Sequence, residues 1–355
     1  MATIDVLLPV KNGIDYLAES LNSICNQTYK DWRLLVLDHG STDGSKEMAE
    51  RYHQQDPRVE VYSFPDAEGL AGLLNKGLEL CNCQFVMRHD ADDIAMPDRM
   101  KISVAAFEKN PDVAVISGQA IMIDAKGNET GVLAMPIGRQ RLTAASFFRN
   151  PIVHPAAIMR FDTIKVLGAK YGIDFLKILP KEQQLSVNAL AEDYFLFGQL
   201  AVLGKCMNVE DILIKYRWHG GNISILKFKD QMDVSVLISR NLAASYCRLH
   251  QLELFDPVPF CNHGGIIFDV DGKLDFSAEF KQIEDLLTST IGDSEELRRE
   301  LDFRKILSTR RDLKLAWTFL RFKSRFILET GEWYAVKSWL IRKFPSKAII
   351  SVPSV

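Results

Sequence analysis

Short apolar runs alternate with amphipathic stretches through the first third of this chain, and the apolar runs end in clusters of polar residues. Ile4-Asp5-Val6-Leu7-Leu8-Pro9-Val10 reads as a buried strand stopped by Pro9 and the polar Lys11-Asn12-Gly13. A helix over Ile14–Asn26 then places Leu17, Leu21 and Ile24 on one face. Trp32–Leu37 is a second strand, ending at Asp38-His39-Gly40-Ser41-Thr42-Asp43-Gly44-Ser45, where Asp43 or Ser45 caps a helix over Lys46–Gln54. A strand over Val59–Phe64, a helix over Leu70–Cys81, a strand over Gln84–Met87, a helix over Asp98–Asn110 and a strand over Val113–Ile116 complete the pattern. Such βαβ alternation predicts an α/β fold with a doubly wound, mainly parallel sheet flanked by helices. Ligands bind such sheets at the rim formed by the strands' carboxyl ends. Pro9–Gly13, Asp38–Ser45 and Arg88–Asp93 are therefore expected to be neighbours in space.

The last of these clusters, Arg88-His89-Asp90-Ala91-Asp92-Asp93, directly follows the apolar Phe85-Val86-Met87. Its acids repel one another unless a cation sits between them. Residues two apart in an extended segment point the same way, so Asp90 and Asp92 can converge on one ion. Hard oxygen ligands suit Mg²⁺ or Mn²⁺ rather than zinc, and a metal at that rim is where a nucleotide's phosphates are expected. The plainer reading of a bare DxD is a loop of solvated acids.

A chain of 355 residues predicts two domains, or one with a large extension, and 47% hydrophobic against 25% charged residues is ordinary for a soluble globular protein. The cysteines, Cys25, Cys81, Cys83, Cys206, Cys247 and Cys261, form no CxxC pair, so reduced thiols and a cytoplasmic chain are expected. Met1 leads almost at once into a strand, with no signal peptide visible, and no run of ~18 apolar residues offers a membrane span. The main domain is expected to end near Ser224, with one half over about residues 1–120 and a second rim of the site over about 121–224. Residues 225–355 read as helices over Phe228–Leu252, Ala278–Thr290 and Ser294–Phe326, with a loop or hairpin near Pro257–Lys273.

Taken in order, the motifs resemble glycosyltransferase family 2, of the bacterial surface-polysaccharide type, whose fold is called GT-A. They are Leu8-Pro9-Val10-Lys11-Asn12, Leu21-Asn22-Ser23-Ile24 with Gln27-Thr28, and Val36-Leu37-Asp38 through Ser45. Gly69-Leu70-Ala71, Leu74-Asn75-Lys76-Gly77-Leu78, and Arg88–Asp93 with Pro97-Asp98-Arg99 follow. Asn150-Pro151-Ile152-Val153-His154-Pro155, Glu192-Asp193-Tyr194 and Tyr216-Arg217-Trp218-His219 complete a match over roughly residues 3–224. The family usually has two acids where this chain has Asp38-His39; the first is kept.

The resemblance implies a metal-dependent, inverting transfer of a sugar from a nucleotide diphosphate, UDP by preference, to a hydroxyl of a glycan or lipid-linked glycan acceptor. It implies Asp92 as the most direct ligand of Mn²⁺ or Mg²⁺, Asp90 beside the sugar or ribose, and Asp93 as a cap or brace of the next turn. Asp38 accepts a hydrogen bond from the nucleobase, or is only the acid of the turn before Gly40. Pro9, Val10 and Asn12 line the base and ribose pocket, Gly69 and Asn75 belong to the donor site, and Arg88 pairs with the diphosphate or neutralises neighbouring acids. Asp193 matches the general base; without the resemblance it is an ordinary acid at a helix start. Glu192 orients the acceptor or Asp193, His154 contacts the acceptor or is structural, and His219 is a third metal ligand or a phosphate contact. Arg217 braces the rim, while Trp218 stacks on a sugar or, by a narrow preference, lies in the core.

Residues 304–347 are rich in Arg and Lys interleaved with aromatics. Arg310, Lys314, Arg321 and Arg325 share a helical face beside Leu313, Trp317, Leu320 and Ile327. An amphipathic helix lying on an anionic membrane has this pattern, as does a helical extension packed on the catalytic domain or a dimer interface. Nucleic-acid binding is not expected, because no RNA or DNA motif accompanies the charge. The rival functions are a sugar nucleotidyltransferase, which lacks its glycine-rich basic loop here, a dinucleotide oxidoreductase, which lacks GxGxxG, and a non-catalytic sugar-nucleotide or glycan-binding scaffold.

Overall fold

The computed structural model describes residues 3–219, 227–261, 276–308, 312–329 and 332. Its strands are β1 (Ile4–Val10), β2 (Trp32–Asp38), β3 (Val59–Ser63), β4 (Phe85–Arg88), β5 (Ile94–Ala95), β6 (Val115–Ile123), β7 (Glu129–Leu133), β8 (Ile158–Arg160) and β9 (Cys206–Arg217). The α-helices among the described residues are α1 (Ile14–Cys25), α2 (Ser45–Gln55), α3 (Gly69–Leu80), α4 (Arg99–Lys109), α5 (Arg139–Ser146), α6 (Phe161–Leu167), α7 (Glu192–Val202), α8 (Phe228–His250), α9 (Ser277–Ile291), α10 (Glu295–Ser308) and α11 (Asp312–Arg325).

All the strands join one sheet in the order β3-β2-β1-β4-β8-β6-β9-β5, with β7 paired to β6. The first four are parallel, as the βαβ pattern requires. Beyond them the sheet is mixed: β8 runs antiparallel between β4 and β6, while β9 returns parallel to β6. Helices cover both faces of the parallel half. On α1 the i, i+4, i+7 set Leu17, Leu21 and Ile24 is fully buried, each worth up to ~1.5–3 kcal/mol of burial. On α3 a Cβ added at Gly77 would fall 2.6 Å from a Leu37 methyl, so glycine lets this helix lie directly on β1 and β2.

β1 runs Ile4–Val10 as read from the sequence, and Pro9 is accommodated because the ladder to β4 already ends at Leu7 while Val10 still lies opposite Asp38. One strand differs from the sequence reading. The strand expected over Val113–Ile116 runs instead from Val115 to Ile123. Its continuation was hidden by Ser117-Gly118-Gln119, whose polar side chains are buried but satisfied. Ser117 Oγ donates to the Val153 carbonyl, and Gln119 bonds both the Val209 carbonyl and the Met135 N–H. At the start of α2 the cap residue is Gly44, and Asp43 accepts from the Ser45 N–H.

The C-terminal helices pack directly against the second half of the sheet domain. One apolar cluster takes Phe147 and Phe148 after α5, Tyr194 and Phe195 of α7, Ile238 and Leu242 of α8, Ile283 of α9, and Leu297 and Leu301 of α10. The single helix expected over Ser294–Phe326 is described as two, α10 and α11. A buried ion network reinforces the seam. Arg141 of α5 donates to Glu329 at 2.6 and 2.9 Å, to Glu332 at 2.9 Å and to Glu300 of α10 at 3.2 Å. Burial opposes ionisation of Glu300, yet Arg304, Arg149 and Arg141 hold it down to about 2. Arg304 thus belongs to the interior rather than to a basic surface. Arg310, Lys337, Arg342, Lys343 and Lys347 of the expected basic tail lie outside the described residues, as do Trp333, Tyr334, Trp339 and Phe344.

Candidate active site

The rim loops interlock as the topology predicts. Val10 accepts the His39 N–H, and the Gly13 and Ile14 N–H groups donate to Ser45 Oγ and Asp43 Oδ2. Asn12, in a left-handed conformation at φ 53°, accepts the Thr42 N–H at 2.9 Å and donates its own N–H to Ser41 Oγ. Asp38 is buried, and its carboxylate accepts the N–H groups of Gly40 and Ser41 and the Ser63 hydroxyl. It therefore shapes the turn. Pro9 and Val10 are buried within β1. His39 reaches the Ala67 carbonyl at 2.9 Å, tying down the chain just before Gly69, whose φ of 66° opens α3.

At the end of β4 the carboxylates of Asp90, Asp92 and Asp93 each offer an oxygen within 4.8 Å of the others. Asp90 is ion-paired with the buried Arg88. Beneath them Arg99 donates to His89 Nδ1 at 3.0 Å and to the Arg88 carbonyl at 2.6 Å. Burial, Arg99 and Arg88 push His89 far below the ordinary histidine range, so this ring is a neutral acceptor. Asp93 is fully buried, with Oδ1 accepting the Arg217 N–H at 2.8 Å and Oδ2 without a partner. It braces β9 rather than capping the next turn, which corrects the sequence reading. Burial, Asp90 and Asp92 push Asp93 well up, and burial and Asp90 raise Asp92. Crowded carboxylates with one buried oxygen unpaired fit a divalent cation better than they fit solvent.

The end of β9 closes this rim. Arg217 Nε donates to the Asp92 carbonyl at 2.8 Å, and its guanidinium pairs with Glu19 and lies over the Tyr16 ring. His219 Nε2 lies 3.0 Å from Asp92 Oδ2. Trp218, read as core by a narrow preference, is instead 43% exposed beside the rim.

A second acidic pair faces the first. Glu192 and Asp193 open α7 after Ala191 at φ 56°, and each offers an oxygen within 4.8 Å of a His154 nitrogen. Burial, then Asp193, raises Glu192 to about 7. Burial raises Asp193 too, against the opposing Tyr194 N–H and Asn150 amide. Burial and Arg88 hold His154 neutral, with Nε2 3.2 Å from the Tyr171 hydroxyl. Arg88 thus stands between the two acid sets, paired with Asp90 and felt electrostatically at Glu192, His154 and Tyr171.

Asn75 acts as a latch. Its amide bonds the Tyr171 carbonyl at 3.0 Å and the Tyr171 N–H at 2.9 Å, holding that residue against the site. Sequence reasoning assigned no role to Tyr171, Asn150, Arg99 or Tyr16. Asn150 and Arg99 each sat in a motif of the resemblance, which was the legible signal; Lys170-Tyr171-Gly172 carries none.

Residues 5–167 match the model of glycosyl transferase family 2. An uncharacterized glycosyltransferase of Haemophilus influenzae is 28% identical over 253 residues, covering 68% of this chain and 74% of that protein. The amylovoran biosynthesis glycosyltransferase AmsE of Erwinia amylovora is 26% identical over 219 residues, 61% of this chain and 76% of its own. In fold, the chain resembles S. aureus TarS 1–349, solved in complex with UDP-GlcNAc, at a TM-score of 0.53 and 18% identity over 91% of each chain. With the ordered motifs now assembled on one GT-A rim, residues 5–167 form a glycosyl transferase family 2 domain, and the chain is a glycosyltransferase.

Proposed function

We propose that this enzyme transfers a sugar, with inversion, from a UDP-linked donor to a hydroxyl of a glycan or lipid-linked glycan during surface-polysaccharide synthesis. One observation carries the reading: two carboxylate sets with separate environments, Asp90-Asp92-Asp93 at the sheet rim and Glu192-Asp193 at the start of α7, meet across Arg88. Asp90 and Asp92, with His219, would hold Mn²⁺ or Mg²⁺, which supplies Lewis-acid stabilisation to a departing diphosphate. Asp193 takes the proton of the attacking hydroxyl as its oxygen bonds the anomeric carbon and the bond from that carbon to the diphosphate oxygen breaks. A carboxylate raised by burial is a stronger base at neutral pH than an exposed one. Glu192, His154 and Trp218 border the acceptor, while Pro9, Val10, Asn12, Asp38 and Gly69 shape the donor pocket through the backbone they hold. AmsE, named for amylovoran biosynthesis, and TarS, solved with UDP-GlcNAc, support this reading of acceptor and donor.

The same reading extends to a membrane surface. Among the described residues no helix is long and apolar enough to cross a membrane. On α11, Phe322 packs inward against Phe303 and Ile306, while Leu313, Trp317 and Leu320 lie exposed on the opposite face at i, i+4, i+7. Lys314 and Arg321 flank them on one side and Lys323 on the other. Apolar residues edged by cations suit an anionic lipid surface, where a lipid-linked acceptor would be presented.

The test of the transfer reaction is Asp193→Asn in the full chain, assayed over a panel of UDP-sugars with Mn²⁺ and an oligosaccharide acceptor. Transfer is expected to fall ~10²–10⁴-fold with donor binding retained. Equal transfer by the variant would remove Asp193 from the reaction.

A further inference from the structure

The general base does not stand alone at the start of α7. Asn150 Nδ2 donates to Asp193 Oδ2 at 2.7 Å, and Asn150 Oδ1 accepts the Ile152 N–H at 3.1 Å. The second bond fixes the sense of the amide: with its oxygen committed to the following turn, its nitrogen must face the carboxylate. We propose that Asn150 is the positioning residue of this enzyme, orienting the Asp193 carboxylate and holding it ionised against its buried surroundings. The inference rests on Asp193 acting as the base.

Asn150 is rigid because its segment is fixed from both sides. Toward the sheet domain, Asn208 Nδ2 donates to the Pro151 carbonyl at 2.9 Å, and Thr143 Oγ1 to the Ala201 carbonyl of α7 at 3.1 Å. Toward the C-terminal helices, Gln140 Nε2 donates to the Ile291 carbonyl at 2.7 Å, and Arg141 enters the buried glutamate network. Phe147 and Phe148 sit in the shared apolar cluster. Tyr194, the residue after the base, donates to the Ser146 carbonyl at 2.8 Å and meets Ser239 of α8 at 3.0 Å. Base and orienting amide are thus fastened to the same scaffold, and the C-terminal helices form part of it.

The electrostatic consequence follows from what faces Asp193. It is faced by the acids Glu192 on its own helix and Asp90 beyond β4, by the Arg88 guanidinium of β4, and by the neutral rings of His154 and Tyr171. Burial and Asp90 both disfavour the carboxylate, and the Asn150 N–H opposes them. A hydrogen bond to a charged group is strong enough to move a titration by about one to two pH units.

The test is ¹³C NMR of the full chain labelled at the aspartate carboxyl carbon, with the Asp193 resonance identified by its loss in Asp193→Asn. Asn150→Ala is expected to raise the Asp193 midpoint by about one to two pH units. If that variant does not fold, Asn150→Asp keeps the acceptor for the Ile152 N–H but replaces the donor with a second acid, and is expected to raise the midpoint further. An Asp193 midpoint unchanged in either folded variant overturns the proposal. In transfer assays with a UDP-sugar, the acid limb of kcat is expected to move upward with the midpoint while the donor KM stays constant. The titration needs no donor. Transfer undiminished in Asp193→Asn would therefore defeat the base assignment, while the midpoint separately decides the Asn150–Asp193 pairing.

Discussion

His219 Nε2 lies 3.0 Å from Asp92 Oδ2, joining the end of β9 to a rim acid 127 residues earlier in the chain. The contact is made possible by Arg217, whose N–H and Nε bond Asp93 and the Asp92 carbonyl just before it. Backbone and guanidinium fix where β9 ends, and the imidazole then reaches the same carboxylate that the sequence nominated for metal binding. Deprotonated, that ring offers a nitrogen ligand acceptable to Mn²⁺.

Glu192 makes folding stability depend on pH. Its folded value of about 7 lies above its ordinary 4.5, so the folded state holds a proton that the unfolded state has released between those values. Stability contributed by the protonated acid is therefore lost as pH rises from about 4.5 to about 7, on the order of 3 kcal/mol in total. Glu192→Gln cannot ionise. Its melting temperature is expected to exceed wild type at pH 8 and to converge with it near pH 4.5, measured by differential scanning calorimetry. A gap independent of pH would contradict this.

Arg141 holds three glutamates at the seam between α5 and the C-terminal helices. Arg141→Leu leaves Glu300 and Glu332 buried with their remaining arginines alone, and is expected to cost about 3–5 kcal/mol in urea unfolding. Lys281→Ala, which breaks an exposed pair with Asp285, is expected to cost under about 0.5 kcal/mol. Similar losses in both would show that the buried network carries no special weight.

The exposed face of α11 gives a membrane prediction that does not depend on catalysis. The full chain is expected to float with vesicles containing phosphatidylglycerol, and the combined variant Leu313→Ser, Trp317→Ser, Leu320→Ser to stay behind, since all three side chains are more than half exposed and outside the packed interior. Equal flotation of both chains would exclude this face as the lipid contact.

Much of this was legible in the sequence because the first half of the sheet is built from local βαβ units. Leu17, Leu21 and Ile24 announce α1 by their spacing, and the polar ends of β1, β2 and β4 fall together by topology alone. The second half obeys no such local rule. β6, β8 and β9 pair across long separations, and buried polar residues such as Ser117 and Gln119 break the apolar pattern while being satisfied by partners far along the chain. Asp93 illustrates the same limit: its role depends on the Arg217 N–H, which no spacing near residue 93 reveals. Tyr171 is held at the site by Asn75, 96 residues away, and meets His154 there.

The central claim is that the paired aspartates at the rim bind the donor's diphosphate through a divalent ion. Isothermal titration of UDP into the full chain, with Mn²⁺ and with EDTA, tests it most directly. Wild type is expected to bind UDP in Mn²⁺ at least tenfold tighter than in EDTA, and Asp92→Asn to lose that gain, with His219→Ala intermediate. Equal UDP affinity with and without metal, or an undiminished metal effect in Asp92→Asn, would contradict the account.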